Sequence, residues 1–169
     1  NKKLAEKLYL LRDHGEKPSY LRTPKDQDKI ASFGYNSLLD NIQAAVLNVK
    51  LKHLPRWIKR RREIAKVYNN GLTGIESIKL PPYPDSDKNY FDVYQNYVIR
   101  AKNRDKLREF LAEKGVETLA KWIIPNHRQK GLNILHRFRL PKTEEISRKV
   151  ISLPMYPELT DEQVKYTIK

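Results

Sequence analysis

Gly34-Tyr35-Asn36-Ser37-Leu38-Leu39-Asp40-Asn41-Ile42-Gln43-Ala44-Ala45 is the stretch around which this chain is organised. Gly34 permits a backbone conformation or a close approach that a Cβ would forbid. Asp40 and Gln43 stand at the D-x-x-Q spacing of a helix start, where side chains satisfy the backbone N–H groups left free in the first turn. Behind them Ile42, Ala45, Val49, Leu54, Trp57, Ile58, Ile64 and Val67 recur at three-to-four-residue intervals, which predicts one buried face along a long helix. The residues ahead of the cap are polar and constrained. They place Asn36 on a loop fixed by a rigid element, a common setting for functional groups.

The chain has 169 residues, enough for one well-filled core and a docked extension. Its 39% hydrophobic and 32% charged residues describe a globular chain with a heavily charged surface. No apolar run approaches the roughly 20 residues needed to span a bilayer, and no basic, then apolar, leader opens the sequence. The absence of cysteine excludes disulfides and thiolate metal ligands and fits a cytoplasmic setting. A net charge of +14 raises nucleic acid, a membrane surface or an anionic ligand as partners. The lysines and arginines are spread from Lys2 to Lys169 rather than gathered in one tract, which argues against nucleic acid.

Working outward, Asn1–Arg12 reads as a helix with Leu4, Leu8 and Leu11 on one face and Gly15 as its stop. His14 reads as a surface or capping histidine. Residues 16–33 are polar, hold two prolines and form a long loop. The helix predicted over 40–72 contains Pro55, so a kink or break is expected near His53–Pro55. Its basic half, Arg56 to Lys66, is read as an amphipathic helix with solvated charges. Gly71 or Gly74 should end it. Strands are predicted over 75–80, 94–100 and 116–119, with a helix starting at Asn103 and carrying Leu107, Phe110 and Leu111. Residues 120–139 lack any period and hold Lys121, Trp122, His127, Arg128 and His136, which makes this the site-bearing loop. Thr143 is expected to cap a helix carrying Ile146, Val150 and Ile151. Thr160-Asp161-Glu162-Gln163 is a capping box for a last helix.

No metal set is visible, because His14, His53, His127 and His136 lack ligand spacing. No phosphate-binding glycine loop or G-x-S-x-G turn occurs either. Composition and spacing alone therefore support only a binding or structural role.

Several stretches together are more specific. These are G-Y-N-S-x-L-D-N-I-Q-A-A from Gly34, L-x-x-L from Leu51 and R-R-x-x-A-x-x-Y from Arg61. With them stand L-R-D-H-G at 11–15, R-D-x-L-x-x-F-L from Arg104 with K-G-V-E-T from Lys114, and S-L-P-M-Y-P-E-L-T at 152–160. In these the chain resembles the DegT/StrS family of sugar aminotransferases, which use pyridoxal phosphate. The resemblance runs almost end to end.

It implies an α/β (α+β) fold: the C-terminal small domain of a fold-type-I pyridoxal-phosphate-dependent transferase, an antiparallel sheet flanked by helices and preceded by a long interdomain helix. The implied organisation is 1–39 as the tail of the large domain with an active-site and interface loop, 40–72 as the interdomain helix, and 73–169 as the small domain. The implied activity is transfer of an amino group from an amino acid, glutamate being expected, to a nucleotide-linked keto sugar, in cell-surface polysaccharide or secondary-metabolite sugar synthesis. The family's Schiff-base lysine precedes the L-R-x-H-G segment, so no catalytic lysine is assigned here and this stretch alone is expected to be inactive.

Asn36 corresponds to the asparagine that reaches across a homodimer interface towards the cofactor phosphate of the other subunit. Leu38 stands where many members carry arginine. Lys121, Trp122 and His127 fall where the family places a histidine, an aromatic residue and a second histidine at the substrate, with Lys121 replacing the first histidine. Two rivals stay open: a pyridoxal-phosphate-dependent sugar dehydratase of the same family, and a stand-alone basic module binding nucleic acid through residues 56–66.

Overall fold

A computed structural model describes residues 1–17 and 30–169. Its helices are α1 (Lys2–Arg12), α2 (Asn41–Leu72), α3 (Arg104–Glu113), α4 (Pro141–Ser147) and α5 (Asp161–Ile168), and its strands β1 (Ile78–Lys79), β2 (Tyr97–Ala101) and β3 (Val150–Leu153). The chain divides into two units, Asn1–Lys52 and His53–Lys169, the division falling within α2.

The first unit is held by backbone. Asn1 caps α1, its side chain accepting from the Leu4 N–H at 3.4 Å. Gly15, at φ +78°, turns the chain out of the helix, its N–H donating to the Leu10 carbonyl at 2.8 Å. The segment ahead of α2 then lies along this turn. The Tyr35 N–H donates to Leu11 O at 2.7 Å, His14 N–H to Tyr35 O at 3.0 Å and Ser37 N–H to Arg12 O at 3.0 Å. A Cβ on Gly34 would sit 2.1 Å from the Gly15 nitrogen, so the close approach expected of Gly34 is what the structure uses. Of the loop predicted over 16–33, residues 18–29 lie outside the described residues.

Two expectations about α2 are corrected. The break expected near His53–Pro55 does not occur, the helix being continuous from Asn41 to Leu72 through Pro55. Proline removes one donor, but its fixed φ is compatible with a helix, and the turns on either side carry the helix across. The buried face does not run the helix's length: Ile64, Ala65, Tyr68, Asn69 and Leu72 are buried, whereas Ile42, Val46, Val49 and Leu54 are exposed. Apolar spacing marks a face suited to burial, and among the described residues the early turns are left exposed. At the helix start the Asp40 carbonyl accepts from the Ala44 N–H at 2.8 Å, and no side-chain cap bond joins it among the described residues. Gly74, at φ +91°, follows the helix end.

The second unit has a core. β1, β2 and β3 form an antiparallel sheet in that order, with Tyr97 opposite Leu153 and Ile99 opposite Ile151. Alternate residues of β2 (Tyr97, Ile99 and Ala101) point inward, as a half-buried strand requires. Tyr97 and Ile99 join Ile64, Tyr68 and Leu72 of α2, Leu111 of α3 and Val164 of α5 in one core. Tyr68 and Tyr97 pack with ring centroids 5.0 Å apart, and Tyr94 stacks on Tyr97 at 6.2 Å. The Tyr68 hydroxyl donates to Pro154 O at 3.0 Å and that of Tyr94 to Pro82 O at 2.9 Å, while the buried Tyr97 hydroxyl has no partner among the described residues.

The predicted strand over 116–119 contracts to a single bridge between Leu119 and Ser152. The third strand is β3, whose Val150 and Ile151 the helical spacing from Ile146 had assigned to a helix. These two β-branched residues suit a strand, and the helix before them stops at Ser147. Thr143 lies inside α4, with Pro141 at its first turn. The capping box at α5 forms in full: Thr160 Oγ1 accepts from Gln163 N–H at 3.2 Å and Gln163 Oε1 from Thr160 N–H at 3.0 Å.

Arg60 and Arg62 of α2 fasten the second unit. Arg60 Nη2 donates to Leu159 O at 2.6 Å and to Asp161 Oδ1 at 2.7 Å. Arg62 donates to Asp92 O at 2.6 Å, pairs with Asp85 and lies 4.2 Å over the Phe91 ring. Lys66 reaches Asp85 at 3.4 Å. Three cations of this stretch, Arg60, Arg62 and Lys66, are thus engaged within the second unit.

Candidate functional site

The two glycine contacts decide how Asn36 is presented. With Gly34 locked against Gly15, the backbone on either side of Asn36 is bonded to α1 through His14–Tyr35 and Ser37–Arg12. The Asn36 side chain is exposed, and no described residue hydrogen-bonds to it. An amide N–H held outward on a pinned backbone is a neutral donor available to an oxyanion. Leu38, two residues on, is exposed and carries no donor.

In the second unit, residues 120–139 contain two short 3₁₀ turns, Asn126–Arg128 and Lys130–Leu135. Lys121, Trp122, Pro125 and Asn126 form one wall of a groove of about 430 Å³, and Thr143, Ile146, Ser147 and Val150 form the other. Trp122 is 68% exposed and its backbone sits at φ +58°, a left-handed conformation unusual for a bulky residue. An ammonium beside an exposed indole suits a ligand with an anionic part and a flat or apolar part.

His127 is placed differently from its two companions. It is 4% exposed, and its Nε2 lies 2.9 Å from Glu144 Oε1. It does not line the groove. The ring is engaged with a carboxylate on α4 rather than offered to a ligand. The same Oε1 accepts from Arg128 Nε at 3.1 Å and Nη2 at 2.9 Å. Hydrogen bonds from His127 and then Arg128 hold the Glu144 carboxyl below the usual carboxylate range. Sequence reading did not single out Glu144. Its one signal is its place in the first turn of a helix opened by Pro141, where an acidic residue is favoured.

Among the described residues no group of three or more His, Asp or Glu could hold a metal ion. No helix among them is long and apolar enough to cross a membrane.

The chain belongs to the DegT/DnrJ/EryC1/StrS aminotransferase family, whose profile matches residues 1–169. It is 38% identical to a pleiotropic regulatory protein of Geobacillus stearothermophilus, over 98% of this chain and 43% of that protein. It is 36% identical to the dTDP-3-amino-3,4,6-trideoxy-alpha-D-glucose transaminase of Streptomyces venezuelae, over 92% of this chain and 39% of the enzyme. The crystal structure of S. venezuelae DesV superposes with a TM-score of 0.80 at 34% identity, covering 99% of this chain and 43% of DesV. The chain thus spans about two fifths of the length of these relatives. The expected α/β fold, with its small antiparallel sheet flanked by helices, is the one observed.

Proposed function

We propose that this chain is the C-terminal portion of a pyridoxal-phosphate-dependent aminotransferase that moves an amino group from an amino acid, glutamate, to a nucleotide-linked keto sugar. The observation that carries the reading is the family match over the whole chain, with 36% identity to a transaminase of a dTDP-linked amino sugar. The residues present fit one side of the cofactor: the outward amide of Asn36 suits a phosphate oxygen. When bound, pyridoxal phosphate supplies the electron sink that lets nitrogen leave one carbon and join another.

The chain's own residues bind and orient. Asn36 donates its amide N–H to the phosphate, in a homodimer to the cofactor of the other subunit. The exposed Leu4, Leu8, Ile42, Val46 and Val49 nearby in sequence supply apolar surface suited to such an assembly. Lys121 meets the diphosphate or another anionic part of the substrate, and Trp122 stacks on a flat face. His127 keeps its place at this site through Glu144. The chain alone is expected to show no transamination, since none of its lysines is assigned to hold the cofactor.

The test is an assay of the complete gene product with glutamate and dTDP- or UDP-linked keto sugars, the product read by mass spectrometry. Formation of an amino sugar supports the proposal. A sugar that loses water instead moves the protein to the dehydratase reading, and tight, steeply salt-dependent binding of nucleic acid with neither reaction would replace both. Asn36→Ala should weaken cofactor retention by about tenfold or more, the loss of one hydrogen bond to a charged group.

A further inference from the structure

The groove between the 120–139 loop and α4 has two walls, and few polar bonds join them. Where the loop leaves the sheet, Leu119 N–H donates to Ser152 O at 3.1 Å and Ser152 N–H to Leu119 O at 2.9 Å. The other link is the Glu144 carboxylate, which takes His127 and Arg128 on one oxygen. Every other loop residue from Lys121 to Arg139 is at least partly exposed, and His127 alone is buried. The loop's remaining bonds are internal, such as Gln129 Nε2 to Ile124 O at 2.7 Å and Arg128 N–H to Pro125 O at 2.8 Å. Those bonds shape the loop without attaching it. Glu144 sits next to Thr143 and one turn from Ser147, two residues of the opposite wall.

We infer that His127 and Glu144 form a latch that sets the position of Lys121 and Trp122 over the groove, so that both are positioning residues for the substrate contacts of the proposed reaction. The inference rests on that reading for its substrate but on the wall-to-wall bonding for its geometry. The His127 ring must donate through Nε2–H to hold Glu144, and the buried ring gives this bond little competition from water. Arg128 adds a charge-assisted pair on the exposed side. Trp122, held at positive φ, has a conformation its own sequence disfavours, so an external restraint is what keeps it there. A substrate meeting a pre-placed Lys121 and Trp122 avoids the entropy of ordering them.

The test uses the complete gene product in a Trp57→Phe background, where Trp122 of this chain's two tryptophans remains; any tryptophan outside this chain is likewise replaced. Glu144→Ala should free the loop, adding a fast component to the decay of Trp122 emission anisotropy. It should also raise KM for the keto sugar about tenfold with kcat held within about twofold. His127→Leu fills the ring's volume without a donor and should do the same, while His127→Gln restores an N–H at similar reach and should recover most of both readouts. Glu145→Gln on the same helix touches only Lys142 and Lys149 and should change neither.

Unchanged Trp122 anisotropy in folded Glu144→Ala would overturn the latch whatever the activity. So would equal loss in His127→Leu and His127→Gln, which would reduce the pair to packing. A protein that transaminates no sugar but gains the fast component keeps the latch and loses the proposed function.

Discussion

Between Asn1 and Lys52 the backbone does the holding. Two glycines interlock, a ladder of main-chain bonds ties Tyr35 and Ser37 to the end of α1, and Gly15 is the one buried residue described. Between His53 and Lys169 the side chains do it, through thirteen clustered buried hydrophobic residues that draw on α2, α3, α5 and the sheet. The difference teaches where each unit's stability and purpose lie. Main-chain bonds fix geometry but contribute little net free energy in water, so the first unit is a presented shape. Burial of apolar surface is the dominant favourable term, so the second unit is a stable scaffold, able to carry a loop in an unfavourable conformation.

The sharpest way to break this comparison is alkali. Burial raises the Tyr68 and Tyr94 hydroxyls to about 12, and Tyr97 is raised as well. Below pH 10 these tyrosines are protonated in folded and unfolded chains alike, and the stability is fully present. As pH rises past the ordinary value of 10 the unfolded chain ionises first, so stability falls through the window from 10 to about 12. The slope approaches about 1.4 kcal/mol per pH unit for each tyrosine. Circular dichroism against pH checks this, and Tyr97→Phe, which removes the unpartnered hydroxyl, should flatten the fall.

Next in size, Ile151→Ala should cost about 2–5 kcal/mol in denaturant unfolding, the loss of a fully buried side chain. Val49→Ala, an equally apolar truncation in the first unit, should stay within about 0.5 kcal/mol in the monomeric chain. Equal costs would abolish the contrast.

Gly34→Ala forces a Cβ onto backbone and should open the α1 turn, speeding proteolytic cleavage there by about tenfold or more. The denaturant midpoint of the second unit should stay where it was. Smallest is Thr160→Ala, which removes half of the capping box and should cost about 1 kcal/mol. A cost confined to α5, read from its amide exchange, would separate it from a core effect.

Local chemistry made several helix ends legible, although among the described residues the side-chain caps expected at Asp40 and Thr143 do not form. Asn1, Thr160 with Gln163, and Gly15 mark ends that depend only on neighbours a few residues away, and all three mark ends in the structure. Sequence reading misplaced what depends on distant partners. Val150 and Ile151 fit a helical spacing from Ile146, and only pairing with Ile99 and Arg100 makes them a strand. The face of α2 from Ile42 to Val49 has the right period but is exposed.

The site shows the same divide. The presentation of Asn36 follows from Gly34 beside it, whose close approach to Gly15 is what glycine permits. The burial of His127 follows from Glu144, seventeen residues on, at a separation no local pattern encodes.

α2 has a further consequence. Pro55 carries no amide hydrogen, so the Leu51 carbonyl lacks its helical donor just where the chain divides into units. On the far side of that gap, the amides around Ile64 to Leu72 lie against the core and exchange their hydrogens only when it opens. On the near side, those from Ala44 to Leu51 exchange through opening of a bare turn. A single continuous helix therefore records two separate clocks, and the slowest of one is set by a process the other never needs.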